Sequence, residues 1–226
     1  MNVRIRCAIG VALAAGMMFA GCATVTQPVV VGTTDDPVFT RMAQNHEAVF
    51  LLPPHMTFEY AHNEQPADPE TSGAIEARAV LDEVVPGELS FAGITVITED
   101  SLEEAHRPLA GDISARLNEE CRVLLSSFRD KSALIPELNR LGEISAAKCA
   151  CLVTVTVKVG TGAMYDANSG AIAQGTSSSA ISIAFISLTD GSVVWKNDSF
   201  VRYLPKSGKF NKAVQMLFDA SPQRRS

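Results

Sequence analysis

Between residues 149 and 159 the chain places Cys149, Cys151, Val153, Val155, Val157 and Val159 at every second position, with Thr154, Thr156 and Lys158 among the residues between them. A period of two gathers side chains on one face only in a β-strand, because a helix turning every 3.6 residues would scatter them. This stretch therefore commits the fold to a sheet, one side of which is the wetter. Residues 179–188 and 192–204 read as two more strands. Thr189-Asp190-Gly191 joins them, and its Asp-Gly pair signals a tight hairpin. Residues 160–178, which precede this hairpin, are rich in Gly, Ser and Ala and read as a loop.

Upstream, the apolar run of residues 47–52 stops at Pro53-Pro54 and lacks alternation, as a central strand covered on both faces would. A loop carrying His55, Glu59, His62 and Glu64 follows. Asp68-Pro69 opens a helix with Ala77, Val80, Leu81 and Val84 on one stripe, ending at Pro86-Gly87. Residues 93–98 read as a second strand, and Asp100-Ser101 caps a short helix holding Leu102 and Ala105. From Asp112 to Phe128, Ile113, Leu117, Cys121, Leu124, Leu125 and Phe128 recur at steps of three and four, which predicts an amphipathic helix. Ser132 starts another through Leu134, Leu138 and Leu141, with Pro136 tolerated in its first turn. Residues 210–218 close the domain as a helix. The order is strand, helix, strand, helices, then three antiparallel strands and a C-terminal helix. It predicts one α/β domain with a mixed sheet over residues 46–220, followed by a frayed tail at 221–226.

The first residues have a different character. Arg4 and Arg6 precede an apolar run over residues 7–19. That run is too short to cross a hydrocarbon layer of ~30 Å as a helix, but it suits the core of a signal peptide. Ala20 and Gly21 then lead into Cys22. The arrangement resembles the bacterial lipobox, which implies cleavage between Gly21 and Cys22, loss of residues 1–21 and acylation of the Cys22 thiol. Two or more acyl chains make a stable anchor. Ala23, rather than an aspartate, follows the cysteine, and by resemblance to enterobacterial sorting this implies the outer membrane, with the domain facing the periplasm. Residues 22–45 read as the lipidated cysteine, a tether and a short helix opened by Asp36-Pro37 and carrying Val38, Phe39 and Met42.

A net charge of −6 with no Lys/Arg stripe argues against nucleic acid as a partner. With Cys7 removed and Cys22 acylated, Cys121, Cys149 and Cys151 remain, so at least one thiol is unpaired within the chain. Either Cys121 bridges to Cys149 or Cys151, or all three are small buried apolar residues. A metal site on Cys149-Ala150-Cys151 would need two further ligands, and the sequence offers none nearby.

Several motifs invite chemistry. Ser145-Ala-Ala-Lys148 with Lys206-Ser-Gly208 has the elements of a serine penicillin-binding enzyme, although Ser145 falls at the end of a helix and no Ser-x-Asn lies between. His55, His62, Glu59 and Glu64 are the residue types that ligate a metal, at irregular loop spacing. Asp166, Asn168 and Gly170 begin like a calcium loop, but Ser177 stands where its glutamate belongs. Gly160-Thr-Gly162 lacks the third glycine of a phosphate loop. Trp195 and Tyr203 share a strand face, which makes them core residues before partner anchors.

Three segments resemble envelope lipoproteins related to the TolB amino-terminal domain, among them the curli-secretion lipoprotein and the lipoprotein activator of penicillin-binding proteins. They are Val49-Phe50-Leu51-Leu52-Pro53-Pro54, the run from Leu141-Gly142 through Ala147 to Val155, and Ile183-Ala184-Phe185-Ile186-Ser187-Leu188-Thr189-Asp190-Gly191-Ser192-Val193-Val194-Trp195. Lys148 and Cys149 stand where that family prefers an acidic residue. The resemblance implies a non-catalytic protein without a cofactor that binds or scaffolds another envelope component. It also implies an alternative, a subunit of an oligomeric secretion channel. A small hydrolase or metal-dependent enzyme, built on Ser145 or on the His55/His62 loop, is the remaining expectation.

Overall fold

The computed structural model describes residues 29–31, 37–60, 63–66, 72–159, 163–166, 171–174, 178–201 and 208–218. The first half of the chain forms β1 (Val29–Val31), α1 (Pro37–Gln44), β2 (Ala48–Leu51), β3 (His55–Tyr60), β4 (Asn63–Pro66), α2 (Ser72–Phe91) and β5 (Thr95–Ile97). Next come α3 (Arg107–Glu119), α4 (Cys121–Leu124) and α5 (Ile135–Ser145). The last part comprises β6 (Cys149–Val159), β7 (Ala163–Asp166), β8 (Ala171–Gln174), β9 (Ser178–Ser187), β10 (Val193–Val201) and α6 (Gly208–Met216).

One open mixed sheet runs in the order β1-β10-β9-β6-β2-β5. The alternating stretch is its long member, β6. β9 pairs along it antiparallel, while β2 and then β3 pair along its other side in parallel. Pro53 and Pro54 have no N–H to give the ladder, which breaks after Leu52 donates to the Cys151 carbonyl at 3.0 Å. The strand then resumes, His55 opposite Thr154, and hairpins back through β4. His55–Tyr60 is thus strand rather than loop.

The alternation sorts two cores. Cys149, Cys151, Val153, Val155 and Val157 face α1, α2 and α6 in one. Ala150, Leu152, Ala184 and Ile186 face α3, α4 and α5 in the other. A register shift between Val193 and Trp195 turns Trp195 into the first core. There it meets Phe39 and Phe185 at centroid distances of 4.8 and 4.9 Å. Gly191 closes the β9–β10 turn at φ 71°, a left-handed conformation that glycine adopts without strain.

Several sequence boundaries move. Val29–Val31, read as tether, pairs antiparallel with β10, and α1 buries Phe39 and Met42 in the first core. Pro86 does not end α2, because burial of Val84, Val85 and Leu89 around it outweighs the ~3 kcal/mol that an internal proline costs. The turn predicted to open a helix at Asp100 is a 3-10 turn, Glu99–Ser101, and the following helix begins at Arg107. That helix stops at Glu119, a new turn starts at Cys121, and Phe128 is 98% exposed rather than buried on the stripe. Within 160–178, residues 163–166 pair with 171–174 as a hairpin.

Cys121, Cys149 and Cys151 are all free and buried. Cys121 lies in the second core, while Cys149 and Cys151 lie in the first, so the sheet separates the partners of the bridge considered above. Burial pushes the Cys149 thiol up to about 11 and raises that of Cys151 as well.

Candidate functional site

β2 is the pivot of the parallel part of the sheet. Beyond the β3–β4 hairpin that follows it, the chain packs α2 on one face of the sheet and returns as β5 beside β2. From the carboxyl end of β5 it crosses the other face through α3, α4 and α5, then returns as β6 on the opposite side of β2. Two neighbouring strands thus send their helical connections to opposite faces, which leaves a crevice between those connections beyond the strands' carboxyl ends. This is the topological switch point at which open α/β sheets take ligands.

The structure has a cleft there, of about 490 Å³. Its walls are residues 50–54 after and within β2, Thr98, Glu99 and Asp100 after β5, one flank of α2 and Ser114 of α3. The loop beyond β5 is tied down locally. Ser101 Oγ accepts from the Thr98 N–H at 2.9 Å and donates to the Thr98 carbonyl at 2.7 Å, and Arg107 Nε donates to the Leu102 carbonyl at 3.0 Å. Gly111 lets the Glu99 carboxylate lie against α3, for a Cβ at that position would sit 2.9 Å from Glu99 Oε1.

On α2, Arg78 and Asp82 stand one turn apart at the mouth. Burial raises the Asp82 carboxyl above its ordinary value, and Arg78 acts against that shift. Pro86 has no N–H to return to the Asp82 carbonyl, which lacks its helical donor. Ser114 is 1% exposed and its hydroxyl makes no hydrogen bond. A buried hydroxyl without a partner is costly, and this one is closed off from the cleft beside it.

The residues singled out from sequence lie elsewhere. Ser145 Oγ donates to the Leu141 carbonyl at 2.6 Å and accepts from the Ala147 N–H at 3.2 Å, so its hydroxyl serves the end of α5. Lys148 pairs with Glu47 at 3.3 Å. The two do not form a nucleophile–base pair. Gly208 opens α6, while Lys206 lies outside the described residues. His55 sits on β3, held below its ordinary pKa first by burial and then by the Arg122 guanidinium. Glu59 and Glu64 are opposite one another in the β3–β4 ladder, and His62 lies outside the described residues. No group of three or more His, Cys, Asp or Glu able to hold a metal occurs among the described residues. Trp195 is buried core, as its strand position implied. Asp166 ends β7. Gly21, Cys22, Gly160, Gly162, Asn168, Gly170, Ser177 and Tyr203 fall outside the described residues. No helix among the described residues is long and apolar enough to cross a membrane.

No sequence motif marks the cleft itself. Its only local traces are Pro53-Pro54 and Glu99-Asp100, each directly after a predicted strand.

No family model matches the chain, and no curated protein does. Solved structures that resemble it include the lipoprotein GNA1162 from Neisseria meningitidis, at 14% identity and a TM-score of 0.36, covering 76% of this chain and 94% of that one. The LpoB C-terminal domain from Escherichia coli is similar at 9% identity and a TM-score of 0.35, covering 73% and 95%. The PelC dodecamer from Paraburkholderia phytofirmans matches at 9% identity and a TM-score of 0.36, covering 88% and 96%.

Proposed function

We propose that the chain is a lipoprotein of the bacterial cell envelope, anchored through Cys22 in the outer membrane and facing the periplasm, where it binds or scaffolds another envelope protein without catalysing a reaction. The observation that carries this reading is the register of Arg4 and Arg6, the apolar run at 7–19, and Ala20-Gly21 immediately before Cys22. The placement of β1 supports it. Only residues 23–28 separate Cys22 from Val29, and a span of that length reaches roughly 25 Å when fully extended. The commitment of Ser145 to its own helix, and of Lys148 to Glu47, supports the non-catalytic part.

The test is metabolic labelling with a palmitate analogue in the native host, comparing the natural chain with Cys22→Ser. The natural protein takes up label and sediments with outer membranes, while the variant keeps residues 1–21 and carries no label. Equal labelling of both chains would refute the anchor. Co-purification of the labelled protein in mild detergent then identifies the protein partner. The secretion-channel alternative has less support, because among the described residues β7 and β8 have four residues each, short of the ~9–11 that a membrane-crossing strand needs.

A further inference from the structure

We infer that the end of the sheet around Phe200, on the face that α3, α4 and α5 leave open, is a lipid-contact surface lying on the bilayer that holds the Cys22 acyl chains. This rests on the proposed lipid anchor and adds the orientation that the anchored domain takes. Among the described residues, α3, α4 and α5 cover only one half of that face. Leu152 of β6 and Ala184 of β9 belong to the second core, whereas Thr154, Thr156 and Ala180, further along the same side of these strands, lie outside it and are partly exposed. Thr156, Ala180 and Phe200 stand opposite one another across β6, β9 and β10, and Phe200 is 39% exposed. An aromatic ring beside threonine hydroxyls suits the headgroup level of a bilayer, where apolar and polar surroundings meet.

The register sets how near this surface lies to the anchor. Val29 pairs with Phe200, and only residues 23–28 lie between Val29 and Cys22. So short a tether keeps the surface beside lipid, and contacts too weak to hold a free protein then suffice. Charge does not oppose the contact. The chain carries a net −6, yet the carboxylates on this side are matched by lysines. Lys196 Nζ meets Asp198 Oδ2 at 3.2 Å, and Glu59 is in register with Lys158. Repulsion by anionic head groups is weakened accordingly. The other exposed phenylalanine of note lies at the far end of β10. Lys131 Nζ donates to the Leu124 and Gly191 carbonyls at 2.6 and 2.8 Å, which seats residues 125–130, with Phe128 98% exposed, at the β9–β10 turn. From Val193, just past that turn, to Phe200 the strand runs roughly 23 Å.

The test places the full lipidated chain in vesicles of phosphatidylethanolamine and phosphatidylglycerol, with an NBD fluorophore on Phe200→Cys, Asp198→Cys or Phe128→Cys in separate samples. Cys121, Cys149 and Cys151 are buried, so labelling of the native protein reaches the introduced thiol. Nitroxide-labelled lipids are expected to quench the fluorophore at position 200 severalfold more strongly than at 128. Position 198, on the same side and with Phe200 retained, is quenched to an intermediate degree. Quenching at 200 no stronger than at 128, in protein that floats with the vesicles, would overturn the contact and leave the anchor standing. Failure to float would overturn the anchor and the contact with it. Quenching at 200 with none at 198 would show that the fluorophore enters the lipid and the native surface does not. Shielding of position 200 from both nitroxide lipid and aqueous iodide would assign the surface to a second copy or another protein, and would overturn the proposal too.

Discussion

Phe39 decides whether α1 belongs to the packed domain or to the tether. Its side chain is fully buried, stacked on Phe185 at 6.0 Å with 13° between the rings and tilted over Trp195 at 4.8 Å. Removing a buried phenylalanine costs ~3–5 kcal/mol, a figure that includes ~0.5–1.5 kcal/mol for each aromatic pair lost. For a domain of this size that lowers the thermal midpoint by roughly 6–20 °C. Trp195 is the only tryptophan of the chain, so its emission reports on the same cluster. Urea titration of Phe39→Ala, followed by that emission, is expected to show the lower stability together with an altered native spectrum. Gln44→Ala, on the exposed side of α1, is the control and stays within ~0.5 kcal/mol of the natural chain. A loss below ~1 kcal/mol in Phe39→Ala with an unchanged spectrum would show that α1 does not pack as described.

Ala146 ends α5 at φ 55°, ψ 16°, a left-handed conformation that costs a non-glycine residue ~1–2 kcal/mol. Ala146→Gly is therefore expected to raise stability by about 0.5–1 kcal/mol once the greater chain entropy of glycine is set against that strain, read as a thermal midpoint higher by roughly 1–4 °C. Asp190 is pulled from its ordinary 3.8 down to about 2, first by the Ser192 backbone N–H and then by the Ser187 and Ser192 hydroxyls. A depressed carboxyl stabilises the fold fully above 3.8 and loses that contribution as the pH falls toward about 2. Because the group is exposed, screening keeps its contribution below ~1 kcal/mol. In Asp190→Asn the fall in urea midpoint across this acid window should be shallower than in the natural chain, and equal slopes would refute the assignment. Cys121, Cys149 and Cys151 should resist iodoacetamide near neutral pH in the native protein and react together after unfolding. A bridged pair found by mass spectrometry under non-reducing conditions would contradict their placement on opposite faces of the sheet.

What was legible in the sequence was local. The period of two over 149–159 and the Asp190-Gly191 turn depend on neighbours along the chain, and both elements form where the pattern puts them. Misreadings arise where tertiary burial overrides a local signal. Pro86 reads as a stop because its penalty is local, whereas Val85 and Leu89 gain their burial from strands far away in the chain. Phe128 continues the apolar spacing, but the helix has already broken at Glu120, so the spacing no longer describes one surface. Pro53-Pro54 ends a ladder without ending the strand direction, and only pairing with Thr154 to Val159, about a hundred residues on, reveals β3. The cleft is the extreme case. Residues 50–54, 78–86, 98–100 and 114 meet only because two crossovers leave neighbouring strands on opposite faces. No spacing rule connects them.

The sheet order sets how the proposed anchor stands relative to the rest of the domain. β1 lies at one edge and β5 at the other, five strand intervals apart. At ~4.8 Å per interval, the two edges are separated by roughly 24 Å. With Cys22 acylated as proposed, the short span to Val29 holds the β1 edge near the bilayer, while the cleft beside β5 lies at the far edge. A partner reaching the β5 edge would then approach from the periplasm. Lengthening the span between Cys22 and Val29 with a flexible insert changes the height of the domain above the bilayer but none of its packing. It should therefore leave the thermal midpoint of the domain unaltered. A midpoint that changes with the insert would show instead that the span from Cys22 to Val29 contributes to the fold.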